Sequence, residues 1–156
     1  MFKNLDAFKV SASSRTELDM SPYLGENAVL QLAPATGANP NFQNAFMKMT
    51  AKVRKDLARD KVDAESLDMI RDIQRELYGR FVIVGWSGVE GEPGGEGVDD
   101  DGLVPYSRGN AQKLCRALPN ELFDMLTVKA GNSESFYPED EVLPPTPEEL
   151  DELAGN

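Results

Sequence analysis

Phe42, Phe46, Met49, Val53 and Leu57 recur at steps of four, three, four and four. That spacing lays them along one helical face and predicts a helix over 41–60. Lys48, Lys52, Arg54, Lys55 and Arg59 fall mostly on its other faces. Asn39 is placed to cap it, with Pro40 in the first turn. A second helix is predicted over 63–78, with Leu67, Ile70, Ile73, Leu77 and Tyr78 as its apolar stripe. Asp63 suits its N-cap, Val62 and Leu67 are spaced as a hydrophobic staple, and Gly79 reads as its stop. Two amphipathic helices joined by a few residues predict a hairpin.

The pattern changes elsewhere. Val29, Leu30 and Leu32 form a short half-alternating run that predicts a strand, ended by Pro34, Gly37 and Pro40. "RFVIVGWSGV" is short, β-branched and aromatic, the clearest strand in the chain, with Trp86 at or just past its end. Residues 1–25 carry scattered apolar groups without a period and predict short strands or irregular structure. Beyond the acidic, Gly-rich connector 90–102, Ser107 is placed to cap a helix whose face is Ala111, Leu114, Cys115 and Leu118. Pro119 closes that helix and opens another, with Leu122, Phe123 and Leu126 on its inner side and Gly131 as its stop. The last twenty residues are acidic, Pro-rich and poor in large apolar groups, the composition of a disordered tail, although "TPEELDEL" carries helix-start signals. These elements predict an α+β fold, mainly α-helical, with a small antiparallel β-sheet: residues 1–136 as one globular domain and 137–156 as the tail.

Composition narrows the function. The net charge of −11 over 156 residues argues against nucleic-acid binding, which needs clustered Lys and Arg. No apolar run approaches the 18 residues or so of a membrane span. "MFKNLDAFKV" has no apolar core and does not read as a signal peptide. The single cysteine, Cys115, allows no intrachain disulfide and fits a reducing cytoplasm. The chain contains no histidine, which removes Ser-His and Cys-His pairs and the commonest zinc ligand.

The connector "GWSGVEGEPGGEGVDDDGLVPYS" fails the motifs it invites. As a calcium loop with Gly102 at the sixth position, it has Gly97 at the first and Arg108 at the twelfth, where acidic ligands belong. An irregular cation site from Glu96, Asp99, Asp100 and Asp101 stays open. No Lys-Ser or Lys-Thr follows its glycines, so it is no phosphate loop. Val89 stands where a nucleophile elbow needs glycine, and Ser87 has no base. No carboxylate pair is singled out for glycosidase chemistry. The stretch reads as a connector with fixed ends, Trp86 and "VPYS", and a free middle. Trp86 and Tyr106 are each either core aromatics or partner anchors. Catalytic residues, cofactors and metal ligands are not expected.

In their order, "VGWSGV", an acidic turn with Asp-Gly, "VPYSRGNAQKLCRALPNELFDML" and "AGNSESF" resemble the tail assembly chaperones of long-tailed bacteriophages. "LQLAPATGANPNFQNAFMK" is similar to their strand, loop and helix start, so the resemblance spans roughly 24–136. The long connector Glu90–Asp101, the acidic tail and Gly109 depart from the pattern. The resemblance implies a non-catalytic protein of the host cytoplasm, absent from the finished virion. It would bind the aggregation-prone tape measure protein, recruit tail tube protein, and self-associate into a homo-oligomer. A holdase needs exposed apolar surface amid charge. The candidates for partner contact are Phe42, Phe46, Met49, Trp86, Tyr106, Leu122, Phe123 and Leu126, each also a candidate for the core. Met47, Met69 and Met125 would suit an adaptable groove. The alternatives are a structural tail or neck component retained in the virion, or a divalent-cation-binding module.

Overall fold

The computed structural model describes residues 5–58 and 64–138. Its strands are β1 (Thr16–Asp19), β2 (Val29–Leu32) and β3 (Ile83–Ser87), and its α-helices are α1 (Pro40–Met49), α2 (Ala51–Ala58), α3 (Ala64–Leu77), α4 (Arg108–Ala117) and α5 (Asn120–Ala130). Short 3₁₀ turns at Leu5–Phe8 and Ser133–Phe136 flank them. The fold is α+β, mainly helical, as the periodicities predict. Asp63, Val62, Arg59, the side chain of Leu57 and the tail from 139 onward lie outside the described residues.

The sheet has the order β1-β2-β3, antiparallel throughout. β2 is central because its alternation is cleanest: Leu30 and Leu32 are buried while Gln31 faces outward. Leu30 lies opposite Leu18 on one side and Trp86 on the other. The β2–β3 register slips between Gln31 and Leu32. The helices cover one face, and Met20, Leu30, Leu32, Phe42, Leu77, Tyr78, Ile83, Cys115, Phe123 and Leu126 form a continuous core. Fully burying each Leu, Ile or Phe is worth about 1.5–3 kcal/mol.

Asn39 caps α1 as its position predicts: its side-chain oxygen accepts from the Phe42 N–H at 3.3 Å. The single helix expected over 41–60 is two. Thr50 is buried, and its hydroxyl donates to the Phe46 carbonyl at 2.6 Å. Back-bonding of this kind competes with the regular ladder and bends helices. Thr50 has φ −93° and ψ 0°, the last turn of α1 ends there, and α2 restarts one residue later.

Gly79 is not a helix stop. The chain passes from α3 into a π-helical turn, Tyr78–Val82, closed by the Ile83 N–H on the Tyr78 carbonyl. A Cβ at Gly79 would lie 2.7 Å from Cα of Gln112, so the residue is small because α4 crosses there. The turn aims Tyr78 into the centre of the molecule. Its ring meets Phe42 of α1 edge-on at 5.6 Å and Phe123 of α5 at 5.3 Å. The extra residue of the π turn thus serves packing and re-aims the chain into β3.

Ser107 caps α4 by accepting from the Asn110 N–H at 3.0 Å. The Asn110 side chain does not complete a capping box; it donates to the Pro105 carbonyl at 2.9 Å. Pro119 separates α4 from α5, and Gly131 ends α5 as expected.

Candidate binding surfaces

The connector's two ends are fixed, and to each other. Trp86 on β3 donates its indole N–H to the Val104 carbonyl at 2.8 Å. Tyr106 donates its hydroxyl to the Ile83 carbonyl at 3.0 Å. The two rings meet edge-on at 5.3 Å and 87°. This clasp satisfies both polar handles while keeping the aromatic bodies half-covered. Gly88 follows β3 with φ +70°, and a Cβ there would sit 2.2 Å from the Asn27 carbonyl oxygen, which only glycine avoids.

The middle of the connector is tied as well, contrary to the expectation of a free middle. Glu90 bridges Leu103, and Val104 N–H bonds the Val89 carbonyl at 2.8 Å. Further in, Gly91 bonds Gly102, Asp99 bonds Leu103, and Val98 bonds Gly95, so successive turns fold the loop back on itself. Side-chain reading misses these because they are backbone-to-backbone bonds; Glu90 adds a carboxylate that accepts from the Glu26 N–H at 3.1 Å. Among the described residues, no group of three or more Cys, Asp or Glu side chains is placed to hold a metal ion.

The partner candidates separate by depth. Phe42, Phe123 and Leu126 are buried, so their side chains form core and not surface. Phe46 and Leu122 are partly buried against that core, and Phe46 stacks on Phe42 at 6.0 Å. Trp86 is half-buried in the clasp. Of the eight, Met49 and Tyr106 are exposed, at 43% and 37%. A helical stripe has the same period whether it faces a core or a partner, which is why spacing alone could not divide them.

The exposed apolar surface lies largely elsewhere. On α3, Leu67 is 55% exposed and Met69 44%. Leu67 and Ile70 line a groove of 350 Å³ with Ala64, Asp68, Arg71 and Gln74. On α5, Val128 is 70% exposed and borders a groove of 470 Å³ with Met125 and Leu18, rimmed by Glu121, Asp124 and Lys129. At the end of α1, Met47 and Met49 are exposed on either side of Lys48. Leu67 was legible as part of a stripe; that the stripe is wider than the surface it covers was not.

Arg75 carries a role that charge patterning did not single out. Its guanidinium donates to the carbonyls of Cys115 and Leu118 at 2.6 and 2.7 Å and to Asn120 Oδ1 at 2.7 Å. It also lies 4.7 Å above the Phe123 ring. One cation therefore closes the C-terminal end of α4 and fixes the α4–α5 angle. Next to it Glu76 and Arg116 form a two-pronged ion pair, and the hydrogen bonds from Arg116 hold the Glu76 carboxyl below its usual range.

Cys115 is fully buried on α4, and burial pushes its thiol up to about 12. Since the thiolate is the reactive form, a disulfide reagent at pH 8 is expected to leave the native protein unlabelled and to label the urea-unfolded chain at least about tenfold faster. Equal rates measured by absorbance would place the thiol at the surface.

A family model described as YdaY prophage protein matches residues 37–142. The matched span begins just before α1 and includes all five α-helices and β3, leaving β1 and β2 outside it. No curated protein and no solved structure matches the chain.

Proposed function

The chain belongs to the YdaY prophage protein family, and from that phage origin we propose that it is a tail assembly chaperone. It binds the tape measure protein in the host cytoplasm, keeps it soluble, and helps bring tail tube subunits to it. The role is non-catalytic. The family membership supports only the phage origin; the finer reading rests on the ordered motifs from "VGWSGV" to "AGNSESF" and on surface physics.

The observation that carries it is the outward face of α3. Leu67 stands exposed, and with Ile70 it floors a groove edged by Asp68 and Arg71. An apolar strip with charged margins accepts an amphipathic helix while its owner stays soluble. A tape measure is a long helical chain with apolar faces awaiting burial, the kind of ligand such a strip takes.

Co-expression tests it. The tape measure protein of the same prophage is expected to stay mostly soluble with the wild-type chain and to pellet without it. Leu67→Glu with Ala64→Glu, both exposed and both lining the groove, should return most of it to the pellet, with the circular dichroism of the variant unchanged. Unchanged insolubility with the wild-type chain would overturn the reading. Abundant copies of the chain in purified virions, measured by mass spectrometry, would replace it with a structural tail component.

A further inference from the structure

We propose that the acidic C-terminal segment, residues 147–154, seats as an amphipathic helix on the methionine-and-cation patch at the α1–α2 junction of its own chain. The patch lies around the bend at Thr50. Met47 and Met49 are exposed there, and Lys48 stands exposed between them. Arg54 of α2 reaches back across the bend, and its guanidinium donates to the Met47 carbonyl at 2.7 Å. Lys55 follows it, also exposed. Among the described residues the ion pairs are Lys9–Asp6 and Glu76–Arg116, so Lys48, Arg54 and Lys55 have no carboxylate partner there. From Asn27 to Lys55 the sequence contains no Asp or Glu, in a chain whose net charge is −11. Two thioethers among unpaired cations fit an apolar ligand with acidic margins.

The C-terminal segment has that composition. Residues 139–156 carry Asp and Glu but no Lys or Arg. In "TPEELDEL", Thr146 is placed as a cap, Pro147 at the first helical position and Glu149 for a capping box. Wound as a helix, the segment puts Leu150, Leu153 and Ala154 at i, i+3 and i+4 on one face, with Glu149 and Asp151 on its margins. The leucines then cover Met47 and Met49, and the margins meet Lys48, Arg54 and Lys55. A helix this short is marginal alone and is stabilised by burying such a face. The chain is long enough to reach. From Pro138, the last described residue, to Leu150 it extends about 40 Å at about 3.3 Å per residue, about the diameter of a folded chain of this length. The contact closes the patch to other ligands, so an acidic partner for α1–α2 must first displace residues 147–154. It is separate from the α3 strip and leaves that strip open.

Disulfide trapping in the full chain tests this, with diamide as oxidant and Cys115 buried out of its reach. Met49→Cys/Leu150→Cys is expected to close within single chains, at a rate that does not change over about a hundredfold range of concentration. It should close at least about tenfold faster than Val128→Cys/Leu150→Cys, which offers the same tethered residue a more exposed partner on α5. Salt at about 0.5 M should slow the Met49 pair, because screening shortens the reach of these charges. Adding Lys48→Glu/Lys55→Glu to that pair should slow closure by about tenfold. Adding Glu149→Lys/Asp151→Lys as well exchanges the two signs and should restore it. Equal closure of the two cysteine pairs, closure indifferent to the charge reversal, or disulfides that form only between chains would each overturn the proposal, the last by giving the patch to another copy's segment.

Discussion

Replacing Phe123 by alanine is expected to destabilise the protein by about 4 kcal/mol, the middle of the range for deleting a buried aromatic ring. Phe123 is 1% exposed and stands where three elements meet. Tyr78 of the π turn meets it edge-on at 5.3 Å, and the Arg75 guanidinium of α3 covers its face at 4.7 Å. Removing the ring leaves a cavity that neither neighbour can fill. Tyr78 is held by Phe42 on its other side, and Arg75 is held by the Cys115 and Leu118 carbonyls. Phe123→Leu keeps most of the volume and should cost about 1.5 kcal/mol or less. Urea unfolding, followed by Trp86 fluorescence and by circular dichroism, measures both. A double-mutant cycle with Arg75→Ala isolates the cation over the ring, with about 1 kcal/mol of coupling expected. A loss under about 1 kcal/mol for Phe123→Ala would mean that α5 is not locked to α3 through this ring.

This arrangement separates what the sequence makes legible from what it does not. The caps at Asn39 and Ser107 are local, and the structure contains both. They depend on residues three apart, and a short polar side chain before an apolar stripe has few other uses. The places of β2 and β3 and the closing roles of Pro119 and Gly131 are local in the same sense, whereas β1 lies in a stretch that read as short strands or irregular structure. Most of the features that escaped are non-local. Gly79 looks like a stop because glycine usually is one; here it answers to Gln112, thirty-three positions on. Thr50 breaks a helix whose apolar spacing runs straight through it, since periodicity does not register a buried hydroxyl. Arg75 resembles any surface cation until α4 and α5 bring three acceptors to it. The partner surfaces suffered most. Phe42, Phe123 and Leu126 have the right period and are core, whereas Leu67, Met69 and Val128 are exposed, and only the packing of α1, α3 and α5 decides which is which.

The Asn39→Asp variant should lose about 3 kcal/mol at pH 7 while keeping the helix cap intact, the sum of two buried donors removed at about 1–2 kcal/mol each. Asn39 is buried and its amide does two things. Its oxygen caps α1 through the Phe42 N–H, and its nitrogen donates to the Pro34 carbonyl at 2.9 Å and to the Phe81 carbonyl at 3.2 Å. The side chain thus joins the exit of β2, the start of α1 and the π turn. Aspartate retains the cap acceptor but points a carboxylate oxygen at two carbonyl oxygens. Repulsion and burial both disfavour the charged form, so the new carboxyl has a folded pKa above its unfolded value of about 3.9. The sign of the pH dependence follows. Below pH 3.9 or so the group is protonated in both states and donates to one of the two carbonyls, and stability is partly recovered. As pH rises from there through the raised folded pKa, the folded state must give up that proton and the stability is lost. Asn39→Ala lacks both the cap and the donors, and its deficit relative to wild type should not vary with pH. Thermal unfolding of the three proteins between pH 3.5 and pH 7 separates the cases, the Asp and Ala curves converging or crossing only if the carboxyl titrates against the Pro34 and Phe81 carbonyls. A pH-independent deficit in the Asp variant would mean that Asn39 acts through its cap alone and that β2 and the π turn are held by other contacts.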